Sequence, residues 1–87
     1  MNVNDELVIH DFSSLLEKMR EIWCENLGVS EIADDDNYFV IGGDSVKGIK
    51  LFAKIKKIFD VELEYSDIFE YQELMSLSER VYEIRNQ

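Results

Sequence analysis

Asn37-Tyr-Phe-Val-Ile-Gly-Gly-Asp-Ser-Val46 divides the chain into two unlike halves, and the rest is read outward from it. It opens as an apolar run with neither helical nor strand period and closes on a glycine pair followed by Asp44 and Ser45. Adjacent glycines let the backbone reach positive φ and turn sharply, and they carry no side chain to crowd the next residues. Positive φ is therefore expected at Gly43, where a β-branched residue would be strained. Asp44 or Ser45 then serves as a helix N-cap. Ser45 Oγ stands uncrowded at a helix N-terminus, where free amides and the dipole favour an anionic group by about 0.3–1 kcal/mol.

Downstream, the spacing predicts a helix from Ser45 to Asp60. On a wheel of about 100° per residue, Leu51, Phe52, Ile55, Ile58 and Phe59 crowd one side with Gly48 among them. Val46, Ile49 and Ala53 align on the opposite side, flanked by Lys47, Lys50, Lys54, Lys56 and Lys57. A helix that only fills a core puts polar residues on that outer face, so the stripe is a candidate docking patch, with Lys47 and Lys50 at its border. Val61 to Tyr65 alternates as a short extended piece, Ser66 caps one turn to Glu70, and a last helix spans Glu73 to Arg85 with Leu74, Leu77, Val81 and Ile84 inward.

Upstream, Ser14 and Glu17 have capping-box spacing, with Asp11 and Ser13 as alternative caps. Leu15, Leu16, Met19, Ile22, Trp23 and Leu27 share one helical face, and Gly28 is a natural stop. Trp23 is a core anchor, whereas Cys24 falls off the apolar face and is expected to be partly exposed. From Val29 to Asp44 runs a long connection in which Ile32, Tyr38, Phe39, Val40 and Ile41 are expected to pin the loop to the core. The outcome is an all-α fold, a small four-helix bundle of three main helices and one short one, with a long loop between helices 1 and 2.

Composition bounds what such a bundle does. Eighty-seven residues make one domain, 1–87, ordered over roughly 12–85, with a modest core and little room for a deep pocket. Nineteen acidic against nine basic residues give a net charge of -10, so nucleic acid and anionic membranes are poor partners. Cys24 alone makes no internal disulfide, and no Cys/His cluster offers a metal site. No apolar run approaches the ~18 residues of a membrane span, and residues 1–11 lack a signal-peptide pattern. A cytoplasmic monomer is expected. His10 has nothing to fix it as a base for a Ser45 hydrolase, Asp34-Asp35-Asp36 lacks the spacing of a calcium loop, and the glycine pair lacks the lysine of a P-loop.

Phe39-Val-Ile41-Gly-Gly-Asp-Ser-Val46 resembles the motif F-x-x-L-G-G-D-S-[IL] of the peptidyl carrier (thiolation) domain of nonribosomal peptide synthetases, in the phosphopantetheine-binding acyl carrier superfamily. Ile41 stands for the usual Leu and Val46 for Ile or Leu. The resemblance spans nearly the whole chain. Leu16 to Val29 is similar to the family's first helix. Phe59-Asp-Val-Glu-Leu63 is similar to F-G-V-x-L, with Asp60 in place of Gly. Phe69-Glu-Tyr-Gln-Glu-Leu74 is similar to F-E-x-P-T-I, with Gln72 where Pro introduces the last helix.

The resemblance implies a non-catalytic carrier. Ser45 would receive 4′-phosphopantetheine from coenzyme A through a phosphopantetheinyl transferase that recognises Gly42, Gly43 and Asp44. The thiol of that arm would carry aminoacyl or acyl groups as thioesters between adenylation, condensation or thioesterase-type enzymes. A polyketide-type acyl carrier is the alternative within the class, and an unmodified helical interaction module is the alternative outside it.

Overall fold

The computed structural model describes residues 11–87, so the readings on Met1 to His10 lie outside the described residues. Leu15, Leu16, Met19, Ile22 and Trp23 recur three or four residues apart, and all five are buried on helix α1, Phe12–Leu27. The helix starts ahead of the Ser14–Glu17 pair. Asp11 takes the N-cap position in extended backbone, and its carboxylate accepts a bond from Ser14 Oγ at 3.0 Å instead of capping an amide. Phe12 packs edge-on against Tyr82 (centroids 5.3 Å apart), so a tertiary contact secures the extra turn. Gly28 ends α1 at φ 70°, and its N–H donates to the Cys24 carbonyl at 2.8 Å. Cys24 is partly exposed, as expected, with its buried side packed on the edge of the core.

Helix α2, Ser45–Phe59, buries Gly48, Leu51, Ile55 and Phe59. Phe52 and Ile58 lie on the flanks of that stripe and are only half-buried against the core. Phe59 is the last helical residue; Asp60 follows at φ 58°, ψ 40°, its N–H donating to the Lys56 carbonyl. Val61 is buried and Leu63 half-buried, as the alternation implies, with no strand partner.

Helix α3, Asp67–Glu70, is a single turn, and Ser66 does not cap it. Ser66 has helical backbone angles and contributes only its carbonyl, to Phe69 and Glu70. The turn is held instead by the buried Asp67, whose carboxylate accepts the Glu64 N–H at 2.8 Å and lies 3.8 Å from Arg80 Nε. Helix α4, Leu74–Arg85, buries Leu74, Leu77, Ser78 and Val81, while Ile84 is half-buried. Its orphan amides at Leu74 and Met75 donate to the carbonyls of Asp36 and Asp34 in the long loop. Gln72, at the position of the family's proline, accepts from Asn37 Nδ2 at 2.9 Å and donates from Nε2 to the Phe69 carbonyl at 2.7 Å.

Helix α1 packs against both α4 and α2, making a four-helix bundle with no strands among the described residues. The connection from Val29 to Asp44 is pinned by buried Ile32 and Tyr38, and by Arg20, which bonds Glu17, Asp34 and the Ile32 carbonyl. Val40 breaks the expectation. It is 81% exposed, because a turn on the Asn37 carbonyl, which accepts from the amides of Val40 and Ile41, rolls it outward.

Candidate functional site

Asp44 is the N-cap of α2, in extended backbone, and its Oδ1 accepts the Lys47 N–H at 2.8 Å while its carbonyl accepts the Gly48 N–H. Ser45 is therefore the first helical residue. Its side chain is exposed, and no group hydrogen-bonds its Oγ among the described residues. The amides of Ser45 and Val46 belong to the open first turn, where the dipole leaves positive partial charge.

The two glycines serve this turn for different reasons. Gly42 holds φ 118°, a conformation that side chains other than glycine's rarely adopt, and open space surrounds the place where a Cβ would sit. Gly43 lacks the positive φ expected from sequence. It is glycine because a Cβ would fall onto the Tyr38 ring and within 2.7 Å of the Tyr38 carbonyl oxygen.

Tyr38 is the residue that sequence reasoning undervalued. It is fully buried, edge-on to Trp23 (5.1 Å) and to Phe39 (5.5 Å). Its N–H donates to the Gln72 carbonyl at 2.7 Å, its carbonyl accepts the Gly43 N–H at 2.8 Å, and its hydroxyl donates to Asn26 Oδ1 at 2.6 Å. Burial, with the Asp44 charge adding to it, pushes the phenol up to about 12, so the hydroxyl remains a proton donor at neutral pH. Asn26 in turn donates from Nδ2 to the Lys47 carbonyl at 3.0 Å. The available signal was a lone hydroxyl in an apolar run, since buried tyrosines generally find a partner.

On the outer face of α2, Val46 is 64% and Ile49 59% exposed, and Ala53 is exposed beside them. Lys50, Lys54 and Lys57 have no ion-pair partner among the described residues, whereas Lys56 faces Asp60 and Glu62. Lys47 departs from its expected place at the border of the patch. Its Nζ donates to the Gly42 carbonyl at 3.1 Å and so clamps the glycine turn. A second apolar surface, at the short turn from Ser66 to Glu70, stacks Phe39 on Phe69 (5.4 Å), with Tyr65 tilted against Phe69. Among the described residues no cluster of His, Cys, Asp or Glu could hold a metal ion, and no helix is long and apolar enough to cross a membrane.

Residues 17–81 match the model of the phosphopantetheine attachment site family. The chain is 36% identical over 70 residues to polyketide synthase PksN of Bacillus subtilis (strain 168), covering 80% of this chain and 1% of that protein. It is 35% identical over 78 residues to gramicidin S synthase 2 of Brevibacillus brevis, covering 90% of this chain and 2% of that one. It thus spans a very small part of these curated relatives. Among solved structures, that of the phosphopantetheine transferase Sfp in complex with coenzyme A and a peptidyl carrier protein matches with a TM-score of 0.75 and 34% identity, over 77% of this chain and 87% of that chain. The exposed serine behind a glycine turn and these likenesses agree: the chain belongs to the phosphopantetheine attachment site family and is a carrier domain similar to those of nonribosomal peptide and polyketide synthases.

Proposed function

We propose that Ser45 is the attachment residue and that the domain carries aminoacyl or acyl groups with no catalysis of its own. The observation that carries this reading is the exposed Ser45 Oγ on the first turn of α2, behind Gly42-Gly43 and the Asp44 cap. The residues present fit the group. Ser45 needs no cavity to accept a chain that extends into solvent, and the side of Gly42 is open. Once attached, phosphopantetheine supplies a long arm ending in a thiol that holds the cargo as a thioester and raises its effective concentration at partner active sites.

The protein's own part is presentation. Asp44 fixes the turn through the Lys47 amide, Lys47 Nζ holds the Gly42 carbonyl, and the open amides of Ser45 and Val46 favour a nearby anion. No basic side chain is hydrogen-bonded to Ser45 Oγ among the described residues, in keeping with a carrier that leaves the chemistry of attachment to the transferase. Val46, Ile49 and Ala53, with Lys50 and Lys54 beside them, form the docking face for the transferase and for adenylation, condensation or thioesterase-type enzymes in the cytoplasm. Aminoacyl cargo is the primary reading; the PksN likeness supports an acyl cargo as the second.

The test is incubation with coenzyme A and a broad-specificity phosphopantetheinyl transferase, read by intact mass. Wild type gains one phosphopantetheine group and Ser45→Ala gains none. Mass gained by Ser45→Ala moves the site elsewhere.

A further inference from the structure

Ser45 stands at the middle of a short arch whose two feet both lead back to Tyr38, one to its main chain and ring and the other, through Asn26, to its hydroxyl. Two residues before it, the Gly43 N–H donates to the Tyr38 carbonyl at 2.8 Å, and the Tyr38 ring fills the space a Gly43 side chain would need. Two residues after it, the Lys47 carbonyl accepts from Asn26 Nδ2 at 3.0 Å, and Asn26 Oδ1 accepts from the Tyr38 hydroxyl at 2.6 Å. Tyr38 is itself immobilised, with its ring against Trp23 and its N–H on the Gln72 carbonyl.

We propose that Tyr38 and Asn26 are positioning residues for the modification of Ser45, acting as one brace beneath the arch; this rests on Ser45 being the attachment residue. Neither side chain touches the reacting oxygen. The brace works by ordering residues 43–47 before any enzyme arrives. A partner that docks on a disordered arch must order it at the cost of binding free energy, and an arch already ordered spares that cost. Such a loss weakens ground-state and transition-state binding alike, so it falls on KM and leaves kcat in place. The two bonds run in series, hydroxyl to amide to carbonyl, and cutting either one releases the far foot.

The experiment compares transferase kinetics with coenzyme A for the full chain as wild type, Tyr38→Phe, Asn26→Ala, Asn26→Asp and the double variant Tyr38→Phe/Asn26→Ala. It is run at a temperature where circular dichroism shows every variant folded. Tyr38→Phe keeps the ring, and Asn26→Asp keeps the acceptor for the hydroxyl while removing the donor to Lys47. Each single variant is expected to raise KM for the carrier about fivefold with kcat within about twofold, and the double variant to be no worse than Asn26→Ala. Amide hydrogen exchange at Gly48, next to the released foot, is expected to quicken in all of them, a readout independent of the transferase. Wild-type KM in the variants, a loss that falls on kcat alone, or losses that multiply in the double variant overturn the brace. No modification of wild type at Ser45 defeats the attachment reading; wild-type kinetics of brace variants modified at Ser45 defeats the brace alone.

Discussion

At its N-terminus α2 turns on glycines that the local geometry demands, whereas at its C-terminus it turns on Asp60, an aspartate held at φ 58° where glycine would be unstrained. The contrast extends to charge. Asp44 sits at the positive end of the helix and caps it, while Asp60 places a carboxylate at the negative end, with Lys56 at 3.6 Å as partial compensation. Backbone fitness is thus concentrated where the serine is presented and relaxed where nothing is presented. The same helix thus carries a strict turn at one end and a tolerant one at the other.

The sharpest way to break the contrast is Gly43→Val. Its side chain meets the Tyr38 ring and carbonyl, and overpacking of this kind costs typically 1–3 kcal/mol, here about 3. Thermal unfolding should then come about 15 °C lower, and modification at Ser45 should slow more than tenfold. An unchanged melting temperature would show that the ring yields freely. Gly42→Ala should cost less, about 1 kcal/mol net, since only the φ of 118° opposes it and the space is open. A loss as large as that of Gly43→Val would mean that contacts, not backbone angle, govern Gly42.

At the other end, Asp60→Gly should stabilise the domain by about 0.5–1 kcal/mol, raising the melting temperature by about 3–6 °C with modification unchanged. Destabilisation there would make the exposed Lys56 and Asp60 pair worth more than such pairs usually are. Between the two ends, Ile49→Asp should leave stability within about 0.5 kcal/mol, because the residue is 59% exposed. Transfer between the loaded carrier and its partner enzymes should nevertheless fall at least about tenfold. Normal transfer in a folded Ile49→Asp would shift docking to another surface, the stacked Phe39 and Phe69 being next in line.

The helices, their buried faces and the serine turn were legible in sequence because each is written in local code: 3.6-residue periodicity, a glycine stop at Gly28, a cap at Asp44. What escaped was set by particular side-chain contacts that no periodic or capping pattern encodes, some of them only a few residues apart. Of the caps open for α1, Asp11 is the one used, and Phe12 beside it packs on Tyr82, whereas the Ser66 cap gave way to Asp67, held by Glu64 and Arg80. The role of Gly43 was misread because the atom that excludes a side chain there belongs to Tyr38, five residues earlier and folded underneath. Lys47 looked like a surface charge until its Nζ found the Gly42 carbonyl. The link from Tyr38 through Asn26 to Lys47 joins three separate stretches, and no local pattern announces it.

The single tryptophan of the chain lies fully buried against the Tyr38 ring, and its indole nitrogen has no hydrogen-bond acceptor among the described residues. Its emission therefore originates from a buried setting one ring away from the serine arch. Any event that tilts Tyr38 alters that setting directly. The domain thus contains its own optical gauge, and the emission of the unlabelled protein should shift in any variant that lets Tyr38 loosen and stay unchanged where the arch keeps its seat.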